Sequence, residues 1–161
     1  MRRAALFFLA SLAGPASASS DGKLDMIGFF TGKTHGDNII RIAFHHPHKL
    51  LVDSVGGRNK EGEFVLIDNV QEEGKPARKR TWVMHPVSAD HFTGSLSDAK
   101  GPVDIVVSGN SATIHYVMKD GGLKIEEQLQ VQNDGTLANH VMARKFGMKF
   151  AQADGTIRKL D

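Results

Sequence analysis

Leu123-Lys124-Ile125-Glu126-Glu127-Gln128-Leu129-Gln130-Val131-Gln132 alternates with a period of two: the odd positions are apolar except Glu127, and every even position is polar. In extended backbone successive side chains point to opposite faces, so this segment is a strand with one buried face and one wet face. Asp120-Gly121-Gly122 precedes it and Asn133-Asp134-Gly135 follows it, and both are turn sequences that accept the positive φ of tight hairpins. The segment is therefore one strand of an antiparallel sheet.

Working outward, the same alternation predicts strands near 37–45, 48–55, 62–70, 78–85, 91–96, 102–108, 111–118, 136–146 and 148–159. Gly56-Gly57, Glu73-Gly74-Lys75-Pro76, Gly109-Asn110 and Asp154-Gly155 punctuate them, and no long amphipathic helix pattern is present. Eight to ten short strands joined mostly by tight turns fit an all-β fold, a single antiparallel up-and-down barrel, closed or nearly so. A β-sandwich is the alternative, but it would need long crossing connections that the turn spacing does not provide. Composition agrees with one packed domain: 40% of the 161 residues are hydrophobic, which is too many for a disordered chain. The absence of cysteine rules out a disulfide scaffold and a thiolate metal site.

The first twenty residues have a different character. Arg2-Arg3, an apolar run from Ala4 to Ala13, the breaker Gly14-Pro15 and the small residues Ala16-Ser17-Ala18 have the layout of a cleaved secretory signal. The run is shorter than the roughly 20 residues a membrane-spanning helix needs, so no transmembrane anchor is expected. Residues 1–18 are thus expected to be an export signal, 19–161 a single barrel domain, and the location periplasmic. Cleavage after Ala18 removes two arginines and no acid from 20 basic and 18 acidic side chains, leaving a formally neutral protein. A neutral chain with 7% aromatic residues lacks both the charge and the stacking surface of a nucleic-acid binder.

Strand parity shows which polar groups the barrel must accommodate. Asp68 shares a face with Phe64, Leu66 and Val70; Arg80 shares one with Trp82 and Met84; Asn139, with Lys145 at the strand end, shares one with Leu137 and Val141. Together with Glu127 these form a set of interior candidates. Unpaired charges inside a barrel cost several kcal/mol, so the groups should meet one another, water or a ligand. A structural ion-pair network near one end of the barrel, with Arg80 stacked on an aromatic ring, is the simplest outcome. A site that orients a ligand and an acid/base pair are the alternatives. A structural role for Glu127 predicts that Glu127→Gln lowers thermal stability by several degrees.

Phe29-Phe30-Thr31-Gly32, Arg80-Thr81-Trp82, Ser97-Asp98 through Gly101, Gly109-Asn110-Ser111-Ala112, Tyr116, Leu137-Ala138-Asn139 and Lys145-Phe146-Gly147 occur in this order along the chain. In these residues the sequence resembles a bacterial envelope family, domain of unknown function 3833 (DUF3833), many of whose members look like lipoproteins. The resemblance implies an exported single-domain protein of a Gram-negative-type bacterium with a lipocalin-like barrel, and it implies no established activity. Two departures stand out. The chain has no cysteine to lipidate, and it has Glu126-Glu127-Gln128 where many relatives have an acidic pair followed by Trp.

His45-His46-Pro47-His48 puts three imidazoles within four residues, a composition suited to zinc or copper. Pro47 bends the chain there and adjacent histidines in extended structure point apart, so a polar turn is the preferred reading and no metal is expected. A phosphate-binding glycine loop, a Gly-x-Ser-x-Gly elbow and a cysteine nucleophile are all missing, and no cofactor is implied. The basic run at Lys75 to Arg80 lies beside Glu72 and Glu73, as expected for a charged hairpin tip.

A barrel offers a concave site, and its inner face mixes Phe, Trp, Tyr, Leu and Ile with a few polar groups. The expected function is binding of a small, partly apolar, lipid-like ligand, with Asp68, Arg80, Trp82, Tyr116, Glu127, Asn139 and Lys145 as ligand-contacting or interior polar-network residues. An envelope assembly factor acting through its surface is the alternative. An enzyme using Asp68 or Glu127 as a base is a third reading. Phe29-Phe30 either closes the barrel bottom or lies across a sheet edge.

Overall fold

The computed structural model describes residues 22–160. The export segment expected over residues 1–18 lies outside them. A short helix α1 (Met26–Phe30) leads into β1 (Gly32–Ile42), β2 (His48–Arg58), β3 (Phe64–Glu72), β4 (Arg78–Ser88) and β5 (His91–Leu96). The chain continues through β6 (Val103–Ser108), β7 (Ser111–Val117), β8 (Lys124–Val131), β9 (Leu137–Lys145) and β10 (Met148–Leu160). Every strand pairs antiparallel with its sequence neighbours, and β1 pairs with β10, so the ten strands close into a barrel. Closure removes every sheet edge. No helix among the described residues is long and apolar enough to cross a membrane.

The segment that decides the fold is β8, with Ile125, Glu127 and Leu129 buried and the intervening residues exposed. Strand limits differ from the alternation pattern mainly at β1, which begins at Gly32 rather than near residue 37 and ends at Ile42 rather than 45. Its inner face begins with Thr34 and Gly36, where no apolar residue marks the period. At its other end, Phe44 takes a positive φ of 66° and leaves the sheet in the turn to β2.

One end of the barrel is packed and plugged. Phe64, Leu66, Trp82, Met84, Leu96, Ile105, Ile114 and Leu129 form its core, and α1 adds Met26 and Phe30 from below. Phe29-Phe30 therefore belongs to the bottom closure, with the two rings edge to face at 5.1 Å. Asp25 caps the helix by accepting from the Gly28 N–H at 2.9 Å. Lys159 on β10 donates to the carbonyls of Gly28 (2.8 Å), Phe29 (3.2 Å) and Thr31 (2.6 Å), which suits the electronegative end of a helix. Gly56 leaves the space into which the Phe30 carbonyl fits.

Gly155 serves the interior in a similar way. It stands between Asn38 on β1 and Asn139 on β9 in register, and the two amides meet across it, Asn139 Nδ2 donating to Asn38 Oδ1 at 3.2 Å. A Cβ at this position would collide with the Asp37 carbonyl and the Asn38 amide. Gly155→Ala is expected to lower unfolding free energy by about 1–3 kcal/mol, measured by urea denaturation, as overpacking against backbone does.

Candidate functional site

Asp68, on β3, is 2% exposed and accepts three hydrogen bonds from the two flanking strands. Ser54 Oγ on β2 donates to Oδ1 at 2.7 Å, while Arg80 Nε (2.6 Å) and Trp82 Nε1 (2.9 Å) on β4 donate to Oδ2. Arg80 lies directly opposite Asp68 in register, and its guanidinium is 5.4 Å from the Trp82 ring centroid. Trp82 in turn meets Tyr116 edge to face, with centroids 5.7 Å apart. Parity on five separate strands thus brings Asp68, Arg80, Trp82, Tyr116, Glu127 and Asn139 into one interior layer.

The electrostatics of this layer are uneven. Burial opposes the Arg80 charge, but Asp68 foremost, with Tyr116 and Glu127, holds its pKa above the ordinary arginine value. Burial pushes the Tyr116 phenol above its usual range, and the neighbouring Glu127 carboxylate adds to the effect. Glu127 also has a raised pKa, chiefly through burial; Asp68 reinforces the shift, while Arg80 and the Asn139 amide oppose it. Glu127 makes no ion pair within 4 Å among the described residues. Asn139 Oδ1 and Thr34 Oγ1 are buried without a hydrogen-bond partner.

The layer divides the interior. Beneath it, among Met26, Phe30, Leu66, Trp82 and Met84, lies a cavity of about 60 Å³, enough for a few waters and too small for an organic ligand. Above it the barrel opens into a mouth of about 540 Å³, within the range of small-molecule sites. Its walls include Ile40, Ile42, Leu123, Ile125, Val141 and Phe150, and the small residues Ala143, Ala151 and Ala153 keep it open. Asn38, Val52, Arg80, Glu127 and Asn139 border both spaces and form the floor of the mouth. At the rim, Arg78 pairs with Asp98 and Lys75 with Glu72.

Lys145 does not join the polar layer. Its parity is inward, but it ends β9 at the rim, with Nζ 5.7 Å from the exposed Phe146 ring. The three histidines of the β1–β2 turn do not converge either. His45 and His46 are exposed, and His48 donates through Nδ1 to the His46 carbonyl while its Nε2 lies 2.8 Å from Glu72. Both nitrogens of His48 are engaged within the hairpin, which leaves neither for a metal. Asn38 and Ser54 belong to the site and did not stand out in the sequence. Asn38 could have been found by extending the β1 alternation back from Ile42 and Ile40 to the next inward position.

A closed, antiparallel ten-stranded barrel with a plugged base and an open, largely apolar mouth is a lipocalin-like barrel. The chain belongs to the family described as "Protein of unknown function (DUF3833)", whose model matches residues 7–159. No curated protein matches it in sequence. Among solved structures it is similar to the S-type phycobiliprotein lyase CPES of Guillardia theta, with a TM-score of 0.63 and 6% identity over 84% of this chain and 90% of that one. A second similar structure is a DUF3598-family protein of unknown function from Nostoc punctiforme, with a TM-score of 0.64 and 9% identity. That match covers 91% of this chain and 53% of the other. At such identities the likeness is one of fold.

The geometry reverses the expectation for Glu127→Gln. The fold favours the protonated carboxyl, so native stability falls as pH rises from the ordinary glutamate value of 4.5 toward the raised native one. Removing the charge removes that loss. Glu127→Gln is expected to match or exceed the wild-type melting temperature at neutral pH, with the advantage shrinking toward pH 4, as measured by thermal melts across pH.

Proposed function

We propose that this protein binds a small amphipathic, lipid-like molecule in the barrel mouth, with its polar head on the floor and its apolar chain along the walls. The observation that carries the reading is the pairing of an open, apolar-walled mouth of about 540 Å³ with a floor of Arg80, Glu127, Asn38 and Asn139. Arg80 uses only Nε toward Asp68, so the rest of its N–H donors remain for a carboxylate or another anionic group. Asn139 Oδ1 is an unsatisfied acceptor buried in the floor, and a ligand hydroxyl would reach it on a shift of the Asn139 amide. Asp68, with three donors on one carboxylate, is committed to holding the floor together, and this favours binding over acid/base chemistry there.

Fold alone does not choose between a carrier and an enzyme: one barrel of this shape is a phycobiliprotein lyase, and another has no known function. Trp82, the sole tryptophan, lies against Arg80 at the floor and is a built-in reporter. Titration with oleate is expected to change its emission saturably. Ala143→Phe, which fills the mouth without touching the floor, should weaken that response by about tenfold or more. An unchanged affinity in this variant would place the site elsewhere, and no response in the wild type would sink the oleate reading.

The same reading includes export to the periplasm, supported by the arrangement of residues 1–18. Intact mass of protein recovered from the periplasmic fraction should correspond to a chain beginning at Ser19. A mass retaining the arginine pair would contradict the cleavage.

A further inference from the structure

The β1–β2 and β9–β10 turns sit side by side at the mouth, because β1 pairs with β10 along its length and the Ala43 N–H donates to the Phe150 carbonyl. Both tips carry a phenylalanine at positive φ: Phe44 at 66° and Phe146 at 51°. They are the two non-glycine residues with positive φ among the described residues, and both are almost wholly exposed, Phe44 at 106% and Phe146 at 89%. Asparagine or glycine would relieve the backbone, and neither ring contributes to the core. The fold itself gains nothing from a phenylalanine at either position.

Met148 and Phe150 extend the apolar surface along β10, and Phe150 also lines the mouth, so the exposed patch runs without a break into the binding walls. Charge at this end of the barrel is mainly cationic but not of one sign: on the β1–β2 side Glu72 lies 2.8 Å from His48, and Glu73 accepts from the Lys49 N–H at 3.0 Å. Arg144, Lys145 and Lys149 flank Phe146 and Met148, and Lys49 follows the other tip. The only acid within residues 41–49 and 144–154 is Asp154, which is already engaged by Arg41 and His140. Lys145 lies over the Phe146 ring, and Lys149 bonds the neutral side chain of Gln152.

Protruding aromatic and methionine side chains, with Arg144, Lys145 and Lys149 beside the Phe146 tip, match the interface of an anionic bilayer, where rings sit at headgroup level and lysine and arginine meet phosphate. We propose that the mouth end of the barrel docks on an anionic lipid surface through the Phe44 and Phe146 tips, which brings the opening of the binding site against the membrane. The proposal rests on the lipid-like ligand reading for its purpose, but different residues carry it.

The test is flotation of the purified protein with vesicles of phosphatidylcholine alone and of phosphatidylcholine mixed with phosphatidylglycerol. Binding is expected on the mixed vesicles and should decline with salt. Phe44→Asn with Phe146→Asn should reduce it by about tenfold or more while the melting temperature holds or rises. The same double variant should keep the wild-type Trp82 response to oleate, which separates docking from ligand binding. Failure of the wild type to float, or flotation of the double variant at wild-type levels, overturns docking while leaving the oleate result to stand by itself. Sedimentation that shows a wild-type dimer dissolved by the double variant, without flotation, would assign the patch to self-association and overturn the proposal as well.

Discussion

The carboxylate of Asp68 organises the interior. It is buried on β3 and takes one donor from β2 and two from β4, which fixes three adjacent strands at a single level of the barrel. An arginine inside a barrel is costly, and leaving one uncompensated costs about 3–5 kcal/mol, so Arg80 and Asp68 are tolerable only together. Once the pair is present, the layer around it must be polar or amphipathic. The two asparagines meeting over Gly155 continue that layer around the adjoining wall, from β1 across β10 to β9. A chain with an apolar residue at each of these positions would have a continuous core and no floor.

The floor explains why the two halves of the molecule differ. Below it, large side chains and the α1 plug fill the space to within about 60 Å³. Above it, alanines on β9 and β10 replace large residues and the interior stays open. Strong packing in one half supports an open half that has little packing of its own, a common division where function needs concavity. Glu127 sits at the boundary, buried enough to have its pKa raised and near enough to the mouth to meet whatever enters.

Much of this was legible because a barrel obeys one rule, alternation, and this chain states it plainly. Hairpin glycines and the β8 pattern located ten strands, and parity alone put Asp68, Arg80, Glu127 and Asn139 on the inside. The rule fails where a strand has few apolar residues to mark its period, as at the start of β1, where Thr34, Gly36 and Asn38 face inward unannounced. It also says which way a side chain points and nothing about how far along the barrel it lies, so Lys145 shared the parity of the site and ended at the rim. The α1 plug escaped because five residues are too few to show a helical period. The exposed phenylalanines were invisible for a related reason: an aromatic in a turn looks like part of a strand until its backbone angle is known.

The join between β1 and β10 has a consequence for how the molecule assembles. Each hairpin can form from local sequence, but this seam brings together the two most distant strands, and no partial barrel satisfies both of its margins. The final strand also carries Lys159, whose amine gathers the carbonyls at the end of α1. Ring closure and the Lys159 cap on α1 therefore form together, when the last strand is in place. Until then the chain is an open sheet with two adhesive margins, and a delay at that step is when it is most exposed to pairing with another copy.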